Sequence, residues 1–303
     1  MESPKISVII PSYNSSETIV GCLECVKNQN VTETYEVIVV DSSSDGTEKI
    51  ISTKFPNFNL IHLHDKTIPA KARNIGAEKA AGEILAFTDS DCLVDKNWLQ
   101  NILKNMDSGH HIIGGGVVNG RPENFISRAE YFIEFREFSI ELPKRPIRFV
   151  PTCNFAIKKE IFENVGGFPN VRASEDTLFA FKLLEHGNIV IFDPEVKIKH
   201  LNRTKWRPYL KNQFLLGKYA AIVRKMVPMT GARFIKIPYA FPILPFVRTL
   251  RTVQFIFRSP VRKAFPQLVD FLSIYPIFLL GAIVWSYGFF CGARTKENLN
   301  DIE

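Results

Sequence analysis

Phe87-Thr88-Asp89-Ser90-Asp91-Cys92 sets two carboxylates two residues apart, directly after the apolar run Glu83-Ile84-Leu85-Ala86-Phe87. A short apolar run of this kind reads as a buried strand, which puts Asp89 and Asp91 at its carboxyl end. Open α/β sheets bind ligands at that end. Carboxylates so spaced can hold a hard divalent cation, and such a cation commonly bridges to phosphate oxygens. A polar loop capping the next helix would use the same residues, so the pair gains meaning from what accompanies it.

Three further polar clusters accompany it. Pro11-Ser12-Tyr13-Asn14 follows the first apolar run, and Asp41-Ser42-Ser43-Ser44-Asp45-Gly46-Thr47 follows the second. The Asp41 carboxylate can accept from a base or a ribose, while Asp45-Gly46 turns the chain. Lys71, Arg73 and Asn74 lie on the helical stretch before residue 83 and supply positive charge for phosphate or donors for a ligand. Four such clusters at one edge of one sheet describe a nucleotide–metal crevice. Glu175 and Asp176 open an amphipathic run, where acidic side chains suit a helix N-terminus. His200 ends a strand-like run, a position that fits either a structural histidine or a ligand.

The elements that position these groups alternate. Strands are expected at 6–10, 36–40, 59–63 and 83–87, and helices at 17–27, 47–54, 70–79 and 97–106. This βαβα order implies an α/β fold with a mostly parallel sheet and helices on both faces. A further strand at 112–118 contains Gly114-Gly115-Gly116, read as close backbone packing at a bulge in preference to a phosphate cradle. Beyond Gly120 the expectation is a helix over 126–138, a strand over 150–157, a helix over 175–185, strands over 189–192 and 196–200, and a basic helix over 207–225.

Taken in order, Ser7–Asn14, Val37–Thr47, Ala70–Gly76, Thr88–Asp91, Thr152–Ile157, Val165–Phe168, Glu175-Asp176 and His200 resemble the successive blocks of glycosyltransferase family 2. The likeness covers roughly residues 5–225. It implies a Rossmann-like GT-A fold and inverting transfer of a sugar from a nucleotide diphosphate donor, with Mg²⁺ or Mn²⁺. It further implies that Pro11, Tyr13, Asp41, Lys71, Arg73, Asn74 and Asp89 serve the donor, Tyr13 and Asp41 at the nucleobase and Asp89 at the ribose. Asp91 would ligate the metal, with His200 near it, and Asp176 would be the catalytic base with Glu175 beside it. The family's common Asp-Asp-Gly-Ser block stands here as Asp41-Ser42-Ser43-Ser44, which alters how ribose or base is held.

Charge is segregated: residues 1–200 hold 22 Lys and Arg against 27 Asp and Glu, and residues 201–303 hold 16 against 4. Phe271–Ala293 is 23 residues without a charged side chain. As a helix it is about 34 Å long, enough for a hydrocarbon core of about 30 Å. Residues 237–247 are too short and proline-broken to span, and the mixed basic and apolar stretch after them reads as an amphipathic segment on anionic lipid in preference to nucleic acid. The expected organisation is therefore a catalytic domain over 1–230 and a membrane-associated region over 231–303, with a transmembrane helix over about 271–293. No signal peptide is expected before the first strand, and the basic flank leads to the expectation of a catalytic domain in the cytoplasm. Five scattered cysteines, including Cys22-Leu-Glu-Cys25, read as reduced thiols. The expected acceptor is a lipid-linked glycan, glycolipid or polysaccharide at the membrane. A sugar nucleotidyltransferase and a catalytically silent membrane scaffold are the rival readings.

Overall fold

The computed structural model describes residues 3–229, 231–237 and 241–295. The chain begins with β1 (Ile6–Ser12), α1 (Ile19–Lys27), β2 (Tyr35–Asp41), α2 (Thr47–Lys54), β3 (Asn59–His62), α3 (Pro69–Lys79) and β4 (Ile84–Thr88). Next come β5 (Cys92–Val94), α4 (Trp98–Asp107), β6 (Ile112–Asn119), α5 (Phe125–Glu134), β7 (Arg145–Ile147), β8 (Asn154–Lys158) and α6 (Lys159–Asn164). α7 (Glu175–Glu185), β9 (Val190–His200), α8 (Trp206–Met226), α9 (Leu244–Arg258), α10 (Val261–Ser273) and α11 (Tyr275–Arg294) follow. Two compact units result. The first comprises Met1–Val117, Lys144–Asn170 and Glu175–His200, and the second Val118–Pro143, Val171–Ser174 and Leu201–Glu303.

The first unit is built on a nine-stranded sheet of order β3-β2-β1-β4-β8-β6-β9-β5, with β7 alongside β9. β3, β2, β1 and β4 are parallel, and β8 lies antiparallel to both β4 and β6. β1 is buried along its whole length, as a central parallel strand covered on both faces must be. α1 buries Ile19, Cys22, Leu23 and Val26, the spacing of one helix face. α3 lies close on the sheet because Gly76 has no Cβ to meet Ile9. Beneath the end of β4, Phe87, Phe155, Phe162, Phe168 and Phe179 form an aromatic core. Ring centroids stand 5.2 Å apart for Phe87–Phe168 and 4.5 Å for Phe168–Phe179. Edge-on and tilted pairs of this kind add about 0.5–1.5 kcal/mol each beyond burial.

Several expected boundaries shift for local reasons. The two strands expected at 189–192 and 196–200 are one strand, β9, running through Pro194. Residues 190–192 pair with β7 and 198–200 with β5, so the partner changes on either side of the residue that lacks an N–H. β8 starts at Asn154 because the chain first turns, with the Asn154 N–H donating to the Pro151 carbonyl at 2.7 Å. The helix expected over 126–138 ends at Glu134 and passes into a short 3-10 turn over Arg136–Phe138. Gly115 serves close packing: a methyl there would strike the Asn154 amide and the Val196 carbonyl.

The second unit is helical. α8 and α11 run in the same direction with their backbones in near contact, Gly217 against Trp285, Gly288 against Phe214 and Gly292 against Lys218. Because α8 packs along α11, the compact unit gathers residues on both sides of the boundary expected near 230. The uncharged stretch 271–293 is also not one helix. α10 ends at Ser273, and α11 starts at Tyr275 with Pro276 in its first turn.

Candidate active site

Four strand ends of the first unit bring the expected residues to one edge of the sheet. Ser12 and Asp41 are partners at the ends of β1 and β2, and Asp41 and His62 at the ends of β2 and β3. Asp41 is fully buried and well provided with donors. Ser43 gives its hydroxyl at 2.6 Å and its N–H at 3.1 Å, and His62 Nδ1 lies 3.0 Å away. The serine-rich form of this block therefore supplies a ligand to Asp41 from within the loop. Asn14, in the left-handed region at φ 50°, links the β1 and β2 loops. Its N–H donates to Ser43 Oγ at 2.7 Å, and its Oδ1 accepts from the Ser44 N–H at 3.0 Å. Tyr13 stands exposed beside this clasp with Lys66 Nζ 4.4 Å from its ring centre. Pro11 is buried inside β1, opposite Val40.

Asp89-Ser90-Asp91 forms a tight turn between β4 and β5, in which the Cys92 N–H donates to the Asp89 carbonyl at 3.0 Å. Ser90 Oγ lies 2.7 Å from Ser15 Oγ, and Cys22 Sγ approaches the Asp89 carbonyl at 3.4 Å. Cys22 is thus a buried packing thiol, and all five cysteines are free.

Arg73 decides the geometry behind this turn. Its side chain is almost wholly buried, and it donates to Asp89 Oδ1 at 2.6 Å and to Glu175 Oε1 at 2.9 Å. Against the cost of burial, the two carboxylates hold this guanidinium charged. Arg73, expected to supply charge for phosphate or donors for the ligand, is turned here to its own chain's carboxylates. Asn74 is likewise engaged: its amide donates to the Phe168 carbonyl at 2.8 Å and accepts from the Phe168 N–H at 3.0 Å. Lys71 remains exposed on α3.

Glu175 and Asp176 open α7 directly after Ser174, a non-glycine residue at φ 62°. Strain of this kind concentrates at functional sites. Burial pushes the Glu175 carboxyl up to about 7 against the pull of Arg73, with Asp176 adding to the rise. Burial also raises Asp176, whose Oδ1 accepts from the Thr177 N–H at 2.6 Å.

His200, at the end of β9, pairs with Cys92 across β5, which brings its Nε2 to 3.7 Å from Asp91 Oδ1. Potential ligand atoms of Asp91, Cys92 and His200 all lie within 4.8 Å of one another. A half-exposed carboxylate facing an imidazole suits a divalent cation that takes oxygen and nitrogen ligands, so the residues fit the expected metal. Cys92 and His62 were not anticipated as members of the site. Each is found through strand register, the first opposite His200 and the second opposite Asp41.

The chain is similar to known proteins. The model of the glycosyl transferase family 2 domain matches residues 7–166. Glycosyltransferase AglE of Haloferax volcanii is 32% identical over 222 residues, spanning 71% of this chain and 72% of that protein. The poly(ribitol-phosphate) β-N-acetylglucosaminyltransferase TarS of Staphylococcus aureus is 30% identical over 195 residues, 61% of this chain but 33% of TarS. Among solved structures, the mannosyltransferase PcManGT of Pyrobaculum calidifontis, in complex with GDP-Man and Mn²⁺, matches with a TM-score of 0.62 at 20% identity. That match covers 98% of this chain and 89% of the other. TarS 1–349 in complex with UDP-GlcNAc matches at 0.55 and 20% identity, over 95% and 92%. These likenesses place the fold among the GT-A transferases.

Proposed function

Because this chain belongs to glycosyltransferase family 2 and is a glycosyltransferase, we propose that it transfers a sugar, with inversion, from a nucleotide diphosphate donor to a hydroxyl of a lipid-linked glycan, glycolipid or polysaccharide. The observation that carries this reading is the Asp89–Asp91 turn, with Asp91 facing His200 and Asp89 joined through Arg73 to the helix that begins Glu175-Asp176. Tyr13 offers an exposed ring and Asp41 a rigid carboxylate for the nucleobase, while Asp89 has one oxygen on Arg73 and can turn the other to a ribose. Asp91 and His200 would hold Mg²⁺ or Mn²⁺, which when bound supplies charge for the departing diphosphate. Lys71, exposed on α3, adds positive charge for the phosphates. Asp176, whose carboxyl is raised by burial, takes the proton of the acceptor hydroxyl as that oxygen attacks the anomeric carbon. The rival readings, a sugar nucleotidyltransferase or a silent scaffold, are disfavoured by family membership and by the presence of Asp89, Asp91 and Asp176.

The basic second unit, suited to the anionic cytoplasmic leaflet, and the apolar helix Tyr275–Arg294, the one helix among the described residues long and apolar enough to cross a membrane, support an acceptor met at the cytoplasmic face of the cell membrane. The test is transfer itself: the full chain, Mn²⁺ and a panel of nucleotide sugars are incubated with membrane lipid extract, and the product's anomeric configuration is read by NMR. An inverted linkage is expected. A retained linkage, or sugar 1-phosphate exchange without transfer, would overturn the proposal.

A further inference from the structure

The outward faces of α9, α10 and α11 are apolar at helical spacing. α9 exposes Phe246, Leu250 and Phe257, and α10 exposes Val261, Phe265, Val269 and Leu272, with Val261 at 89% and Phe265 at 71%. α11 continues with Leu280, Ile283 and Tyr287. The opposite faces of the same helices are already committed to a core containing Ile256, Ala264, Phe271, Phe278 and Ala282. A surface helix of a water-soluble protein turns polar residues outward. Helices apolar on both faces need a second apolar environment, and patches this extensive mark a protein or membrane contact.

Charge selects the occupant. Arg258 and Arg262 are exposed at the α9–α10 corner, Arg258 lying 4.8 Å from the Phe255 ring centre, and Arg294 covers Phe290 at 3.6 Å at the far end of α11. Over 241–295 the acidic side chains are represented by Asp270 alone, which is tied to Arg128. Long basic side chains bordering an apolar stripe match a bilayer, with rings and aliphatic groups in the acyl boundary and cations at anionic headgroups.

Packing decides how the bilayer is met. α8 follows α11 with glycine-mediated backbone contact from Gly217 to Gly292, and α8 carries Arg207, Lys211, Lys218, Arg224 and Lys225. It also sends Asn212 and Gln213 to Glu134 of α5, at 2.8 and 2.5 Å. α11 cannot cross the hydrocarbon without taking this flank with it, and a Lys or Arg at the centre of the bilayer is strongly disfavoured. We infer that this chain docks on an anionic membrane surface through the α9–α10–α11 face and does not span it. The inference concerns the membrane contact within the reading above. Its test is made without sugar transfer, so the two fail separately.

The full chain, tagged at both ends, is mixed with vesicles of phosphatidylcholine alone or containing phosphatidylglycerol. Binding to the anionic vesicles is expected, weakening about tenfold or more in high salt and in the combined Leu250→Glu, Phe257→Glu, Phe265→Glu protein. Phe265→Glu alone should weaken it measurably, and Ile189→Glu, on an exposed residue of the first unit, should not. Circular dichroism confirms that each variant is folded, and the single substitutions carry the test where the triple does not fold. In vesicles formed around the newly synthesised chain, external protease should remove both tags from the same molecules. Protection of one tag alone means that the chain spans, and overturns the inference. Unchanged binding of the folded variants overturns it, as does a dimer that these substitutions dissociate while vesicles capture nothing.

Discussion

Arg73 Nη2 donates to Asp89 Oδ1 at 2.6 Å, and the same guanidinium reaches Glu175 Oε1 at 2.9 Å, so one buried cation links the acidic turn after β4 to the start of α7. These contacts join residues 16 and 102 positions away in sequence. The first acidic residue of the turn and the neighbour of the expected base are therefore held by one rigid fork.

Loss of this fork has a defined cost. Arg73→Met leaves the buried Glu175 carboxyl without its cation and should lower stability by roughly 3–5 kcal/mol, read by urea denaturation. Lysine keeps the charge but offers a single ammonium, which cannot reproduce the two-armed contact. Arg73→Lys should recover part of the stability while donor affinity stays low. Normal donor affinity in Arg73→Lys would show that the fork does not position Asp89.

Removal of Asp91 addresses the metal. Asp91→Ala should abolish the Mn²⁺-dependent part of donor binding and leave the weaker binding in EDTA nearly unchanged. His200→Gln should weaken Mn²⁺ binding less, since the anionic carboxylate of Asp91 remains. Titration of Mn²⁺ by electron paramagnetic resonance reads both without catalysis. Wild-type Mn²⁺ affinity in Asp91→Ala would remove it as a ligand.

The strand ends were legible because a parallel sheet buries uninterrupted apolar runs and leaves polar residues where each run stops. Asp41, Asp89 and Asp91 fall there directly. Arg73 was legible as a charge but not in its role, because its partner Glu175 is distant in sequence and only folding joins them. His62 and Cys92 were hidden for a related reason: cross-strand register, not spacing along the chain, brings them to Asp41 and His200. The stretch 271–293 shows the limit of composition. Its apolar length is that of a span, and composition alone does not show that the glycines at 281, 288 and 292 bring this helix against Tyr209, Phe214 and Lys218 of α8.

That packing can be tested at Gly288. A methyl group there meets the Phe214 carbonyl and the Lys218 N–H, both backbone atoms that cannot rotate away. Gly288→Ala should destabilise the protein by about 1–3 kcal/mol, as overpacking of a close contact does. A melting temperature equal to wild type would mean that α8 and α11 are not in backbone contact.

Glu134 links stability to pH. Burial and the nearby Glu130 push its carboxyl up to about 8, against the pull of Arg203, the Gln213 amide and Arg248. The folded state therefore keeps a proton that the unfolded chain releases near its ordinary value of 4.5. This contribution is fully present below about pH 4.5 and is lost as pH rises through about 8. Glu134→Gln retains the shape without the titration. Its stability should fall less than that of wild type between pH 5 and pH 8.5, measured by urea denaturation in matched buffers. Parallel pH profiles for the two proteins would exclude a proton on Glu134 as the cause.

Asp176 separates catalysis from binding. It sits one residue from Glu175 at the head of α7, with Oδ1 on the Thr177 N–H and its carboxyl raised by burial. A base must be ionised to accept a proton, so a raised carboxyl makes the rate climb with pH across a range above that of an ordinary aspartate. Wild-type kcat/KM should show this acid limb, carried by the coupled Glu175–Asp176 pair. Asp176→Asn preserves size and most hydrogen bonding but cannot take the acceptor's proton. Transfer should drop by roughly 10²-fold or more, with donor and Mn²⁺ affinities near wild type. Glu175→Gln should lose less, because that carboxyl faces Arg73. Donor affinity falling in step with rate in Asp176→Asn would make Asp176 a positioning residue, and full activity there would move the base to Glu175.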